Sequence, residues 1–317
     1  MSMDVPEVVA AIREVMRGPP RSQRRALGRG MKRPASLAAA VALTAAMVIS
    51  TMPVAAGAAG GGRCPRFRAP RVVGQVRGLP GIREISGIVS SHRHRRTLWV
   101  EQDSADPSRK TIHAISPTGR GKASVMVGQA TNHDWEDMAY WDRRLWIGDI
   151  GDNRLQRSNV QVYWFREPKL SARAVNAKMA TLRYPGGRSH NAEAMFVTGG
   201  SLYIISKEIG GDTGTVFRAD VKPLRDGAHR QLSAVGTIPI GTVAAADVGR
   251  RGIIVKNYTV GLFYPWSGNH RVSDTLGRRP CQVPVGPGES IAFTTWSRSY
   301  YSIPEGDNPE VYLSRPR

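Results

Sequence analysis

The chain has 317 residues, 41% of them hydrophobic and 7% aromatic, with 34 glycines and 21 prolines, and its 45 Lys and Arg against 25 Asp and Glu give a formal net charge of +20. This composition excludes a disordered chain, a collagen-like repeat and a polytopic membrane protein. Such a charge attracts anionic partners. The arginines are scattered, with no basic helix or aromatic-interleaved nucleic-acid motif, so the expected partner is an anionic small molecule or an acidic envelope polymer.

Residues 1–30 form a basic leader, with Met31 offering an alternative start, and Lys32 and Arg33 precede an apolar run from Leu37 to Ala56 that exits through Gly57 and Ala58. A positive segment, an apolar core and a small-residue exit predict a secretory signal over 31–58. The run is nearly long enough to span a bilayer, and its small-residue exit favours cleavage over anchoring. Cleavage would leave no transmembrane span, a secreted or envelope-associated protein, and 37 basic against 22 acidic residues, a net +15. A linker over 59–69 follows. Cys64 and Cys281 are the only cysteines, and in an oxidising compartment an even pair predicts a disulfide.

From residue 70 onward a unit recurs in which an acid leads an apolar strand and a second apolar strand ends in polar residues. The pairs are Glu84–Val89 with Leu98–Asp103, Glu136–Tyr140 with Leu145–Asp149, Glu193–Val197 with Leu202–Glu208, Asp247–Gly249 with Ile253–Asn257, and Glu289–Phe293 with Tyr300–Glu305. The leading acids are 52, 57, 54 and 42 residues apart, the period of a four-stranded propeller blade. Strands at Thr111–Ile115, Ser124–Val127, Val160–Phe165, Met179–Tyr184, Thr215–Arg218 and Leu232–Val235 fill out the units, and Leu170–Ala177 reads as a helical turn. The last unit stops after Glu310–Leu313, one strand short, and Arg71–Val76 can supply it. The expectation is an all-β single propeller over 70–317 with five blades, six being the alternative, closed by an N-terminal strand that removes the open edges. It is expected to act as a monomer.

His133–Ala139 followed by Trp146–Asn153 and Val162–Pro168 resembles a family of exported actinobacterial β-propellers, and His190–Met195, Ala245–Asp247, Lys256–Tyr258 and Gly288–Phe293 look like its later blades. More distantly the chain is similar to esterase-like and calcium-dependent phytase-like propellers. That resemblance implies a secreted protein that hydrolyses anionic esters with calcium, of phytase, esterase or lactonase type. Asp247–Gly252 departs from the Ser-Pro-Asp-Gly turn expected there.

If each acid leads the innermost strand of its blade, Glu84, Glu136, Glu193, Asp247 and Glu289 converge on one end of the channel, where their like charges need compensation. One solution is Ca2+, which accepts mixed carboxylate and carbonyl sets. The other is that each carboxylate accepts backbone N–H groups of the next blade and locks the ring. Asp149 and Asp152 lie in a glycine-kinked loop that fits either a Ca2+ wrap or a self-capped turn. Blades two and three align His133-Asp134-Trp135-Glu136 with His190-Asn191-Ala192-Glu193, so Asp134 and Asn191 are further candidate ligands and His133 and His190 candidate proton carriers, or loop histidines with no task. Gly288-Glu-Ser-Ile-Ala292 approaches GxSxG on a predicted strand, not at a strand-to-helix elbow, which argues against a serine hydrolase. The class alternative to an enzyme is a non-catalytic envelope-binding or scaffold propeller.

Overall fold

The computed structural model describes residues 64–317 except 80, 105, 223 and 297; the leader, the signal segment and residues 59–63 of the linker lie outside the described residues. After β1 (Arg71–Gln75), strands β2 (Ile85–Ser90), β3 (Leu98–Gln102), β4 (Thr111–Ile115) and β5 (Gly121–Gly128) form the first blade. The second is β6 (Trp135–Trp141), β7 (Arg144–Asp149), β8 (Val160–Arg166) and, after β9 (Ala174–Asn176), β10 (Lys178–Arg183). The third is β11 (Ala192–Thr198), β12 (Ser201–Ser206), β13 (Gly214–Asp220) and, after β14 (Ala228–Gln231), β15 (Ser233–Ile238). The fourth is β16 (Ala245–Gly249), β17 (Gly252–Lys256), β18 (Gly261–Pro265) and, after the short helix α1 (Val272–Leu276), β19 (Cys281–Val283). The fifth is β20 (Ala292–Phe293), β21 (Tyr300–Ser302) and β22 (Glu310–Ser314), with β1 antiparallel to β22 as its outermost strand. The protein is a five-bladed β-propeller closed by its N-terminal strand.

The inner strands β2, β6, β11, β16 and β20 pack side by side around the axis. Buried on both faces, they read as almost uninterrupted runs of small and apolar residues. Outer strands such as β10 alternate between buried and exposed. Between the blades, Trp99, Trp135 and Tyr163 pack at one junction and Trp146, Trp164 and Phe217 at the next.

Two strands leave their own blade. β9 pairs in parallel with β5 and β14 with β10, so the connection before the last strand of blades two and three covers the outer edge of the preceding blade. This corrects the helical turn expected over Leu170–Ala177, where pairing with β5 supplies the hydrogen bonds that an isolated turn lacks. Cys64 and Cys281 form a disulfide with Cα atoms 5.5 Å apart across 217 residues. Cys281 belongs to the outermost strand of blade four, not to the segment joining blades four and five.

Candidate functional site: an acidic channel mouth

The five leading acids do not occupy one equivalent position. Strand register and hydrogen bonds sort the inner-strand residues into ranks. A β-bulge falls between Trp135 and Asp137 and another between Ala192 and Ala194, so Glu136 and Glu193 are each the extra residue of a bulge. In the first blade the same place belongs to Ser86, whose hydroxyl donates to Glu136 at 3.1 Å, and Glu84 aligns with Asp134 instead. Asp247 belongs to a third rank, that of Asp137. Asp137 accepts the N–H of Met138 at 2.8 Å, of Met195 at 2.8 Å and of Ala246 at 3.3 Å, and Asp247 accepts those of Val248 at 2.8 Å and Phe293 at 2.7 Å. These two carboxylates are blade clips. In the first blade the clip position is Gly87, and Glu101 reaches across it, as a Cβ there would come within 2.4 Å of Glu101 Oε1 and 2.7 Å of the Met138 nitrogen. The expected ring of five like positions is therefore divided. One part clips the blades, because a bulge turns a neighbouring carboxylate to another side.

What does converge is Glu136, Glu193 and Glu289, which offer carboxylate oxygens within 4.8 Å of one another. Glu136 and Glu193 are each only 3% exposed. Lys207, at the polar end of the second strand of blade three, pairs with Glu193, stands 3.5 Å from Glu289 and donates to the Tyr258 hydroxyl at 3.0 Å; that hydroxyl donates in turn to Glu289. Lys256, from the same place in blade four, is fully buried and donates to the Gly288 carbonyl. Asp103 and Asp134 hydrogen-bond through their side chains, as do Glu305 and Glu289, and the field of Glu84 reaches both Asp103 and Glu305. Seven carboxylates thus ring this mouth: Glu84, Asp103, Asp134, Glu136, Glu193, Glu289 and Glu305.

Burial and mutual repulsion show in the titration of these groups. Burial, with the charges of Glu193, Asp134 and Asp103, pushes Glu136 well above the usual carboxylate range. Burial and Glu289 raise Glu193 to about 8 despite Lys207. Burial, then Asp134, raises Asp103 to about 9, and burial, then Glu289, raises Glu305 to about 8. Burial works against the charge of Lys207, yet Glu193 and Glu289 outweigh it and hold the ammonium above its ordinary range. Burial lowers Lys256 to about 8 against the pull of Glu289.

The loop candidates are engaged differently. Asp152 accepts the N–H groups of Gln156 at 2.9 Å and Arg157 at 2.7 Å, so it caps its own loop. Asn191 accepts the Asp152 N–H at 2.7 Å and donates to Asn153 at 3.1 Å, tying that loop to blade three. Asp149 is fully buried, 2.8 Å from the Arg157 guanidinium and 3.4 Å from His133 Nδ1, while Thr131 Oγ1 lies 3.2 Å from the same nitrogen. His190 packs its ring at 4.9 Å from both Tyr184 and Phe217, with Nδ1 3.6 Å from Glu208. Gly151 leaves the room the mouth needs, since a Cβ there would lie 2.3 Å from Glu136 Oε1 and 2.4 Å from Asp134 Oδ2.

This donor set fits a hard divalent cation on two counts. The ligand atoms are carboxylate oxygens, the type calcium takes. Glu193 Oε2 and Asp103 Oδ1 are buried with no hydrogen-bond partner, a costly state for a carboxylate that a cation relieves. Asp103, Lys207, Lys256 and Glu305 were within reach of sequence reading as the polar ends of second strands, because an antiparallel second strand ends where the inner strand begins.

No family model and no curated protein matches the chain. Among solved structures it is similar to the PQQ-bound form of an aldose sugar dehydrogenase from Streptomyces coelicolor, at 9% identity and a TM-score of 0.42 over 80% of this chain and 100% of that one. It is also similar to a gluconolactonase from Xanthomonas campestris, at 12% identity and a TM-score of 0.43 over 84% of this chain and 99% of that one. Likeness at this level says nothing about the chemistry of the mouth.

Proposed function

We propose that the acidic mouth binds Ca2+ and hydrolyses an anionic ester, either a phosphate ester or an acidic lactone, outside the cell. The observation that carries this reading is the convergence of Glu136, Glu193 and Glu289 within 4.8 Å, with one buried oxygen of Glu193 left unpartnered. Glu136, Glu193 and Asp134 would hold the ion, which supplies positive charge to draw in the anion and polarise its ester. Lys207 already neutralises the Glu193 and Glu289 side, so the uncompensated charge lies towards Asp134 and Asp103. His133, half-exposed and held through Nδ1 by Asp149 and Thr131, leaves Nε2 to take a proton from the attacking water and return it to the leaving oxygen. His190, enclosed by Tyr184 and Phe217, positions the neighbouring Asn191 loop.

The test is metal analysis of the purified protein beside a screen of phosphate esters and lactones with and without chelator. Calcium in the protein and chelator-sensitive hydrolysis are expected. Absence of both would leave the second reading, a non-catalytic propeller that holds acidic polymer, which the basic and aromatic opposite end of the channel favours.

A further inference from the structure

The channel has a second chamber at the end opposite the acids. The last residues of all five inner strands line a cavity of about 350 Å³ there. Asp137 lies between the two ends, since its carboxylate takes N–H groups from the inner strands of blades two, three and four and so blocks the axis. The chambers are therefore separate sites, and the ligand of the second is independent of the function proposed for the acidic mouth.

The chemistry of this chamber is the reverse of the first. On one side the His92 and Tyr140 rings stack at 4.0 Å and 5°, forming one flat wall. Trp141 and Trp266 add aromatic surface from blades two and four. Arg250 stands at the rim with its guanidinium 5.8 Å from the ring centre of Trp296, which is 70% exposed, and Arg251 and Arg298 border the adjoining groove. Burial, helped by the Arg250 charge and opposed by Glu167, holds His92 below its ordinary pKa, so the fixed cation of the wall is the arginine. A large exposed tryptophan beside arginines marks a recognition surface.

Aromatic walls around a concave site with a few directional polar groups suit a ligand that has an apolar face and a polar perimeter. A pyranose ring meets that description, as its axial C–H groups rest on the electron-rich face of an aromatic ring. A nucleobase needs a slot between two rings, and the His92 and Tyr140 rings are already in contact. Arg250 adds a planar fork matched to a carboxylate. We propose that this chamber binds an acidic saccharide, with a uronate ring against the His92–Tyr140 wall and its carboxylate on Arg250.

The experiment is calorimetric titration of the protein with tri-galacturonate, maltotriose and inorganic phosphate. Tri-galacturonate should bind, with maltotriose and phosphate each weaker by about tenfold or more, the loss expected for a charge-assisted pair or for the stacked ring. Arg250→Gln and His92→Ala should each weaken tri-galacturonate by about tenfold, with unchanged circular dichroism, and Glu136→Gln in the other chamber should leave it as it was. The proposal is overturned if tri-galacturonate does not bind, if phosphate binds as well as it does, if both variants bind like the parent, or if Glu136→Gln abolishes binding.

Discussion

Glu136 and Asp137 are neighbours in sequence and opposite in task. The bulge at Glu136 directs its carboxylate to the mouth beside Glu193 and Glu289, while Asp137 turns to the axis and takes three backbone N–H groups from three blades. Removing Asp137 leaves those donors buried and unpaired, so Asp137→Ala should cost about 3 kcal/mol or more, and Asp247→Ala, with two N–H groups, less. Urea unfolding of both variants checks the order. Gly151→Ala forces a methyl group to within 2.4 Å of the Asp134 and Glu136 carboxylates and should reduce calcium affinity while changing the melting temperature of the metal-free protein little. The glutamates at the strand heads were legible in the sequence, because an acid before an apolar run repeats. Their division into mouth ligands and clips was not, since a one-residue bulge exchanges the two sides without changing the spacing.

Among the strands, blade five depends on one more than 200 residues away in sequence. β1 pairs with β22, and the Cys64–Cys281 bond fixes the segment before β1 to the outermost strand of blade four. On the chain-entropy model a closed loop of that size is worth about 4 to 5 kcal/mol. Cys64→Ser with Cys281→Ser should therefore lower unfolding free energy by about that amount while leaving the strand signal in circular dichroism intact. The N-terminal closure could be read from the sequence because the last unit was one strand short. β9 and β14 could not, as each is three or four residues long and pairs in parallel with a strand of the preceding blade, a partner that no local periodicity names. The His92 and Tyr140 wall was hidden for a related reason: one residue lies in an Arg-rich loop of blade one and the other near the end of β6, and only the packing of inner strands brings them together.

Across the protein, a net charge of +20 coexists with a channel end that is strongly acidic, so the average conceals two chambers of opposite character. Glu193 and Glu305 at about 8 and Asp103 at about 9 keep protons in the folded protein that an unfolded chain gives up at ordinary carboxylate values near 4. Between about pH 5 and pH 8 the folded state binds more protons than the unfolded one, so stability in chelator should fall as pH rises through that window. Lys256, lowered to about 8, acts in the other direction only above that pH. Calcium should offset the fall, and its stabilisation should be greater at pH 8 than at pH 5 because bound carboxylates must be ionised. Thermal unfolding at the two pH values with calcium and with chelator measures this difference.

Whether the carboxylates of the mouth exist to hold a cation is decided by calorimetric titration of Ca2+ into the metal-free protein, its Glu193→Gln variant and its Glu136→Gln variant. Saturable binding to the parent chain is expected, with affinity lower by about tenfold or more in each variant, since each loses a charged ligand from the Glu136, Glu193 and Glu289 cluster. No binding to the parent chain, or equal affinity in all three proteins, would refute a cation-holding role for the mouth.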